Sequence, residues 1–417
     1  MNTTHFSSRL ARRLNLVDAV FIGLGAMVGA GIFAAEGPAA QAAGSGLLIA
    51  VFIAGGVAFL NAITVAQLAV LYPESGGTYV YGRKRLGAIW GFLAGWGFIT
   101  GKLASCTAMA LTFAHYAAPA YARPLAAASV LLLTAVNYLG VKKTANVTRI
   151  LVILVFVSLA AVVFAALAGG GTDSARLSGW TERGGVPGIL RAAGIMFFAF
   201  AGYARLATLG EEVANPRTTI PKAIALSLAI TIAVYFTVVT VTILSVDTEH
   251  LARATAPLVL AVESGSFAFL SPVVRIGAGL ASLGVLLSLL AGISRTAFAM
   301  AANRDLPHSL SAVHPRYKVP HRTELTVGAI VATITVAGDL GTAIGFSSFL
   351  ILTYYAIAHA AAWALNPSER RWPRWMAGAG GIACILVALS LPIAAIMGGI
   401  LILALGLTFY LVCRPYR

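Results

Sequence analysis

Charge is the scarcest resource in this sequence. Asp, Glu, Lys and Arg make up 10% of its 417 residues, where a soluble domain carries about 25%. That excludes an ordinary water-soluble domain, which needs charge to clothe its surface. Acid is scarcer than base, with 14 Asp and Glu against 29 Lys and Arg, for a net charge of +15. A basic excess can mark a nucleic-acid binder, but here the basic residues sit in short loops between apolar runs, so nucleic acid is not an expected partner. Cysteine is nearly absent. Cys106, Cys384 and Cys413 fall in or beside apolar runs. Their odd number and lack of metal spacing argue against a disulfide framework or a thiolate metal site. The seven histidines (His5, His115, His250, His308, His314, His321 and His359) are scattered. A membrane enzyme would need them clustered with Asp or Glu, so no enzyme, metal or cofactor is expected. The three between 308 and 321 share a loop with Pro and Arg and read as solvated.

Apolar residues are what the chain has in plenty, at 59%. About 20 consecutive apolar residues cross a bilayer core of about 30 Å. Runs of this kind recur at roughly 17–43, 46–72, 86–118, 124–140, 146–170, 187–214, 219–246, 271–301, 325–338, 343–365, 375–391 and 394–413. The pattern predicts an all-α polytopic membrane protein with twelve transmembrane helices. The ninth run is short and is expected to extend toward Thr323, and the tight hinge at Pro392 predicts a helical hairpin from the last two. Lys and Arg favour cytoplasmic loops. With the N-terminus inside, the inner segments hold twenty of the 29 and the outer ones six, and Lys102, Arg205 and Arg295 fall within spans. Both termini are therefore expected in the cytoplasm. The start, "MNTTHFSSRLARRLNLVDAV", reads as a basic tail entering the first span, not a cleavable signal. The longest loops, near 247–270 and 302–324, are too short for a separate catalytic domain.

The first span contains "GLGAMVGAGIF", Gly23 to Phe33. Each glycine in a helix interior costs about 1 kcal/mol relative to Ala, and a span must satisfy its backbone groups internally. Four glycines here predict a break. The sixth span, "GIMFFAFAGYARLATLGEE", also has small residues at its middle, flanked by aromatics. Two broken helices five spans apart match an inverted repeat of five plus five helices. An unwound turn exposes amides that bind a carboxylate, helped by the dipole of the next half-helix, and carbonyls that bind an ammonium. An amino acid carries both charges on one carbon. Glycine suits such a turn through unusual φ angles and close backbone approach. The competing reading is that the glycines only permit close helix packing.

"GLGAMVGAGIF" resembles the first-helix signature of the amino acid–polyamine–organocation (APC) permeases. "FFAFAGYARLATLGEEVANPRTTIPKAI" resembles their sixth helix and following loop, "YPESGGTYVYGRKRLG" their second-to-third helix junction, and "SRTAFAMAANRDLP" the end of their eighth helix. The resemblance spans residues 20 to 307. It implies the leucine-transporter fold and secondary amino acid transport by alternating access in a prokaryotic plasma membrane. It divides the chain into a tail (1–16), a first repeat (17–170), an inverted second repeat (187–365) and two further spans (375–413). It implies that the amides around Gly29, Ala30 and Gly31 hold the substrate carboxylate. The carbonyls of Met27, Phe198 and Ala201 would hold the ammonium, and Phe200 and Tyr203 would form an aromatic wall or lid. The expected partners are a free amino acid, the lipid bilayer and protons as a candidate coupling ion, with no obligatory partner subunit.

Lys102 lies near the middle of the third span, about 24 Å of helix rise from either end. Its stem cannot snorkel that far, and a charge at the centre costs roughly 2.5–3.5 kcal/mol. It must face the bundle interior. Some proton-coupled relatives carry such a Lys in the fifth span, but here the region near Val155 and Phe156 is apolar. Three readings of Lys102 stay open: a coupling residue, a contact for an acidic substrate side chain, and a structural Lys bonded to carbonyls. Glu36, Arg205, Glu211 and Glu212 are gate candidates: Glu36 at the rim of an outer vestibule with a coupling role as its alternative, Arg205 with snorkelling as the plainer reading, and Glu211 and Glu212 with solvated surface charge as theirs. A channel would need a repeated filter element, which is missing. An amino acid exchanger and a polyamine or other amine carrier remain alternatives. The latter would favour acidic pocket side chains where this chain offers a Lys.

Overall fold

The computed structural model describes residues 14–72, 74, 76–140, 145–180, 183–203, 206, 213 and 215–413. These are almost wholly helical, and their one β-type pairing is the isolated parallel bridge between Leu14 and Val213. Nine of their helical segments are long and apolar enough to cross a membrane, so the chain is an integral membrane protein. The first of these, Leu16–Leu71, has 56 residues. At 1.5 Å per residue it would stretch about 84 Å, far beyond one bilayer core. It turns back at Gly44, whose φ of 54° lies in the left-handed region open to glycine.

The first pass is broken. Helix α1 (Leu16–Met27) stops at Val28 and Gly29, and α2 (Ala30–Ala43) resumes. A capping box between Asn15 and Asp18 starts α1, and Asp18 also takes the Arg149 guanidinium at 2.7 Å. Then follow α3 (Leu47–Leu71), the short α4 (Thr78–Arg85), α5 (Ala88–Ala117), α6 (Ala122–Tyr138), α7 (Ala145–Ala168) and α8 (Gly185–Phe200). Helix α8 ends in a tight turn, Ala201–Tyr203. The expected second break therefore falls where the small residues stand. Ala204, Arg205, Glu211 and Glu212 lie outside the described residues.

Helix α9 (Pro216–Ser245) leads to two short helices, α10 (Thr248–Arg253) and α11 (Pro257–Glu263), which form a lid over one end of the bundle. Helices α12 (Ser271–Ala302), α13 (His321–Ala337), α14 (Leu340–Trp363), α15 (Arg374–Leu389) and α16 (Ile393–Cys413) complete the chain. The core is organised around α2 and α3 against α8, α5 against α12 and α14, and α1 against α9. Two quoted motifs meet at the end of the bundle opposite the lid. Asp305, buried, accepts from Arg83 at 2.6 Å and from the Tyr79 hydroxyl at 2.7 Å. Nearby, Arg85 hydrogen-bonds Glu369 and holds its carboxyl below the usual carboxylate range.

Two expectations need correction. The last two helices do not pair as a hairpin: α15 lies on α14 and α3, and α16 lies on α5 and α14. Aromatic contacts hold α16 to α5, with Tyr410 on Phe92 at 4.8 Å and Phe409 stacked on Trp96 at 6.3 Å, and the Trp96 indole donates to the Ile402 carbonyl at 2.8 Å. Nor do the first-span glycines serve unusual φ angles. None of Gly23, Gly25, Gly29 and Gly31 has a positive φ. What they supply is the missing Cβ. A Cβ on Gly31 would stand 2.4 Å from the Ala199 Cα, and one on Gly202 would stand 2.0 Å from the Ala26 carbonyl oxygen.

Those obstacles are backbone and cannot swing aside. Gly31→Ala should force α2 from α8 and destabilise by about 1–3 kcal/mol, seen as a lower melting temperature in detergent. Gly56→Ala, where a Cβ meets nothing within 4 Å, should leave it unchanged or raise it slightly.

Candidate functional site

The two breaks face each other. The Ala201–Tyr203 turn presses on the end of α1, and α2 crosses α8 where Gly31 meets Ala199. Each broken end leaves carbonyls without helical partners. One side chain of α9 serves both: the Tyr235 hydroxyl donates to the Met27 carbonyl at 2.5 Å and the Ala199 carbonyl at 3.1 Å. Phe200 closes over the Tyr235 ring at 4.9 Å. Of the expected ammonium ligands, the Met27 carbonyl is thus at the junction. The Phe198 carbonyl instead accepts the Ala201 amide, and Ala199 shares the tyrosine in its place. Tyr203 is buried against Tyr355 at 5.4 Å. The amides of Ala30 and Gly31 open the first turn of α2, and no side chain caps that end. The pocket wall at Gly29 is Val285 of α12.

A narrow apolar cleft beside the first break is lined by Gly25, Val28, Val152, Val155 and Val285. The fifth-span region without Lys therefore does face the break, through Val155. A larger cavity of about 570 Å³ lies elsewhere, between α5, α12, α13 and α14, with Leu103, Val327 and Phe346 in its walls. No break residue lines it, and its exposed walls are almost wholly apolar.

Lys102 stands on the side of α5 away from that cavity, partly accessible, one turn from the buried Cys106 thiol. Glu36 is fully buried beneath the lid, hydrogen-bonded to Thr242. The lid backbone rests on α2 at Gly37, where a Cβ would meet the Ala254 carbonyl at 2.9 Å. Lys102 and Glu36 are thus at different places, Glu36 at the lid and Lys102 in the middle of α5.

Two groups escaped the sequence reading. Tyr235, within "ITIAVYFTVV", was given no role from the sequence, although a buried phenol needs a partner for its hydroxyl. His359 was passed over as one of the scattered histidines. In α14 its ring is bonded on both sides, Nε2 to Asn61 Oδ1 at 2.7 Å and Nδ1 to the Thr64 hydroxyl at 3.1 Å. Cys384 of α15 donates to the same Asn61 oxygen at 3.1 Å. An ionisable group within a span was the available signal. Its partners sit some 300 positions away, so the cluster itself was invisible.

Paired, facing helix breaks in a helical membrane protein are an architecture of secondary transporters. The chain belongs to the amino acid permease family, whose description matches residues 18–413 and whose fold is that of the leucine transporter. It is 54% identical over 405 residues to an uncharacterized transporter of Mycobacterium tuberculosis, covering 97% of this chain and 92% of that one. It is 27% identical over 444 residues to the branched-chain amino acid permease BcaP of Bacillus subtilis, covering 96% and 92%. With the human cationic amino acid transporter 4 it shares 29% over 376 residues, covering 83% of this chain and 58% of the relative.

Removing the shared hydroxyl tests the junction. Tyr235→Phe leaves two buried carbonyls short of a donor and should destabilise by about 1–3 kcal/mol. Tyr121→Phe, on a ring 71% exposed, should leave the melting temperature unchanged.

Proposed function

We propose that this protein is a secondary active transporter that takes up amino acids by alternating access, coupled to protons. The observation that carries the reading is the facing pair of helix breaks. Free amides at the start of α2 suit the substrate carboxylate, and the Met27 and Ala199 carbonyls suit its ammonium. Each carbonyl oxygen has a second lone pair beyond the one Tyr235 occupies. We take the chain as twelve passes with both termini in the cytoplasm, counting Leu16–Leu71 as two and adding α13 and α15. The repeats, 17–170 and 187–365, each begin with a broken span, and the lid then faces outward.

The side chains around the breaks favour a neutral, apolar amino acid. Val28, Val285, Phe198, Phe200 and Tyr203 surround the junction, and among the described residues no carboxylate stands with them. A cationic side chain would need one. This agrees with the name of the branched-chain relative.

Recognition through backbone makes a sharp demand on the ligand. Amino acids that stabilise the purified protein in a thermal-shift screen should be taken up by proteoliposomes. Their N-acetyl and amide derivatives should fail to compete. Equal competition by those derivatives would overturn the reading.

Lys102 is the coupling residue in this proposal. No hydrogen-bonding or ion-pairing partner holds its amine among the described residues, and the centre of α5 lets it change environment as the bundle rearranges. A proton is coupled only if its binding differs between the two states. Lys102→Ala should abolish concentrative, pH-gradient-driven uptake while keeping substrate binding. Lys102→Arg should fail likewise, because Arg does not release its proton. Unchanged concentrative uptake by Lys102→Ala would make the residue structural.

A further inference from the structure

Glu36 is buried one residue from the lid's contact on α2, and among the described residues no cation pairs with it. Its side chain has no exposed surface. Thr242 of α9 hydrogen-bonds one carboxyl oxygen, and Oε2 has no hydrogen-bond partner among the described residues. From α5 comes Tyr116, whose hydroxyl donates to the Phe33 carbonyl at 3.2 Å and receives the Leu258 amide at 3.4 Å. From the lid come the buried Leu251, Leu258 and Val259. Some charged groups of this end bond among themselves, and Arg176 donates to the Gly171 and Leu244 carbonyls at 3.3 and 2.7 Å. Arg253 holds Glu249 at 2.7 Å, His250 meets Asp247 at 3.5 Å, and Arg275 of α12 holds Glu263 at 3.5 Å and the Tyr116 carbonyl at 3.1 Å. None of these bonds reaches Glu36.

A carboxylate buried without a counter-ion keeps its proton instead of its charge. The geometry suits the neutral form. The carboxyl O–H can donate to the Thr242 oxygen, whose own hydroxyl has the Val238 and Val239 carbonyls at 3.1 and 3.0 Å. Lifting α10 and α11 would bring water to the group and let it ionise. The lid bears on α2 through backbone at Gly37, one residue away, so lid position and Glu36 hydration change together.

We propose that Glu36 is a proton-operated latch of the outer lid, protonated while α10 and α11 cover it and ionised when they lift. This rests on the alternating-access reading and on the lid facing outward, and it adds a second proton-binding group to Lys102. Because the closed lid binds one more proton, its population relative to the open lid rises with external acidity, by at most tenfold per pH unit.

The distance between nitroxide labels on His250→Cys and Tyr121→Cys, both exposed sites, reads the lid without substrate. In lipid nanodiscs the long-distance population should grow as pH rises. Glu36→Gln, neutral at every pH, should keep at every pH the mostly closed distribution that the unsubstituted protein shows in acid. Thr242→Val, which removes the acceptor for the carboxyl proton, should shift the transition to lower pH. Identical pH responses in the unsubstituted and Glu36→Gln proteins, or no response in the former, would overturn the latch. In proteoliposomes, counterflow by Glu36→Gln should run at every external pH at the reduced rate that the unsubstituted protein shows in acid. Counterflow as pH-dependent as in the unsubstituted protein would overturn it. Absence of amino acid counterflow in the unsubstituted protein would refute the transport reading instead, and the distance measurement would still decide the latch.

Discussion

Backbone groups released inside a bilayer must find partners within the protein, because the hydrocarbon offers none. The two helix breaks depend on that constraint being met. Tyr235 meets part of it by placing one hydroxyl between the carbonyls of Met27 and Ala199. The rest of the central bundle is arranged to let the broken ends come that close. Gly31 and Gly202 lack the Cβ that would hold the strands of backbone apart, and Phe200 covers the tyrosine ring. The junction is closely packed at its backbone and polar at its centre.

The intramembrane ionisable groups each answer the cost of burial differently. His359 is bonded on both ring nitrogens, so its cluster resembles a structural polar tie between α3, α14 and α15. Glu36 has only a hydroxyl partner and is best accommodated as a neutral acid. Lys102 remains partly accessible beside a thiol. A group satisfied in one arrangement has little reason to respond to another. The poorly satisfied ones are where proton binding and conformation can be linked.

Much of the architecture was legible in the sequence because hydropathy and length act locally. The apolar runs, a break within Gly23–Phe33 and an interruption among the small residues of the sixth span all came from residue order. Where the sequence reading erred, the deciding contact was remote. The final hairpin failed because Trp96 and Phe92 draw α16 to α5, some 300 residues back. For the glycines the sequence left unusual φ angles and close helix packing both open, because the helix they approach leaves no trace in the local sequence. Tyr235, His359 and Asn61 were individually visible as polar groups in apolar spans, but their partnerships were not.

The amino-acid order alone determined that this chain lives in a membrane, where its helices begin and break, and which family it resembles. Those properties follow from the free energy of placing each side chain in lipid and from the helical cost of glycine, both of which are read residue by residue. Tertiary structure decided which carbonyls the breaks present, what covers Glu36, and why the glycines are glycines. Each of these depends on atoms brought within a few ångströms from distant spans, and short-range packing and hydrogen bonding are set only once the helices are assembled.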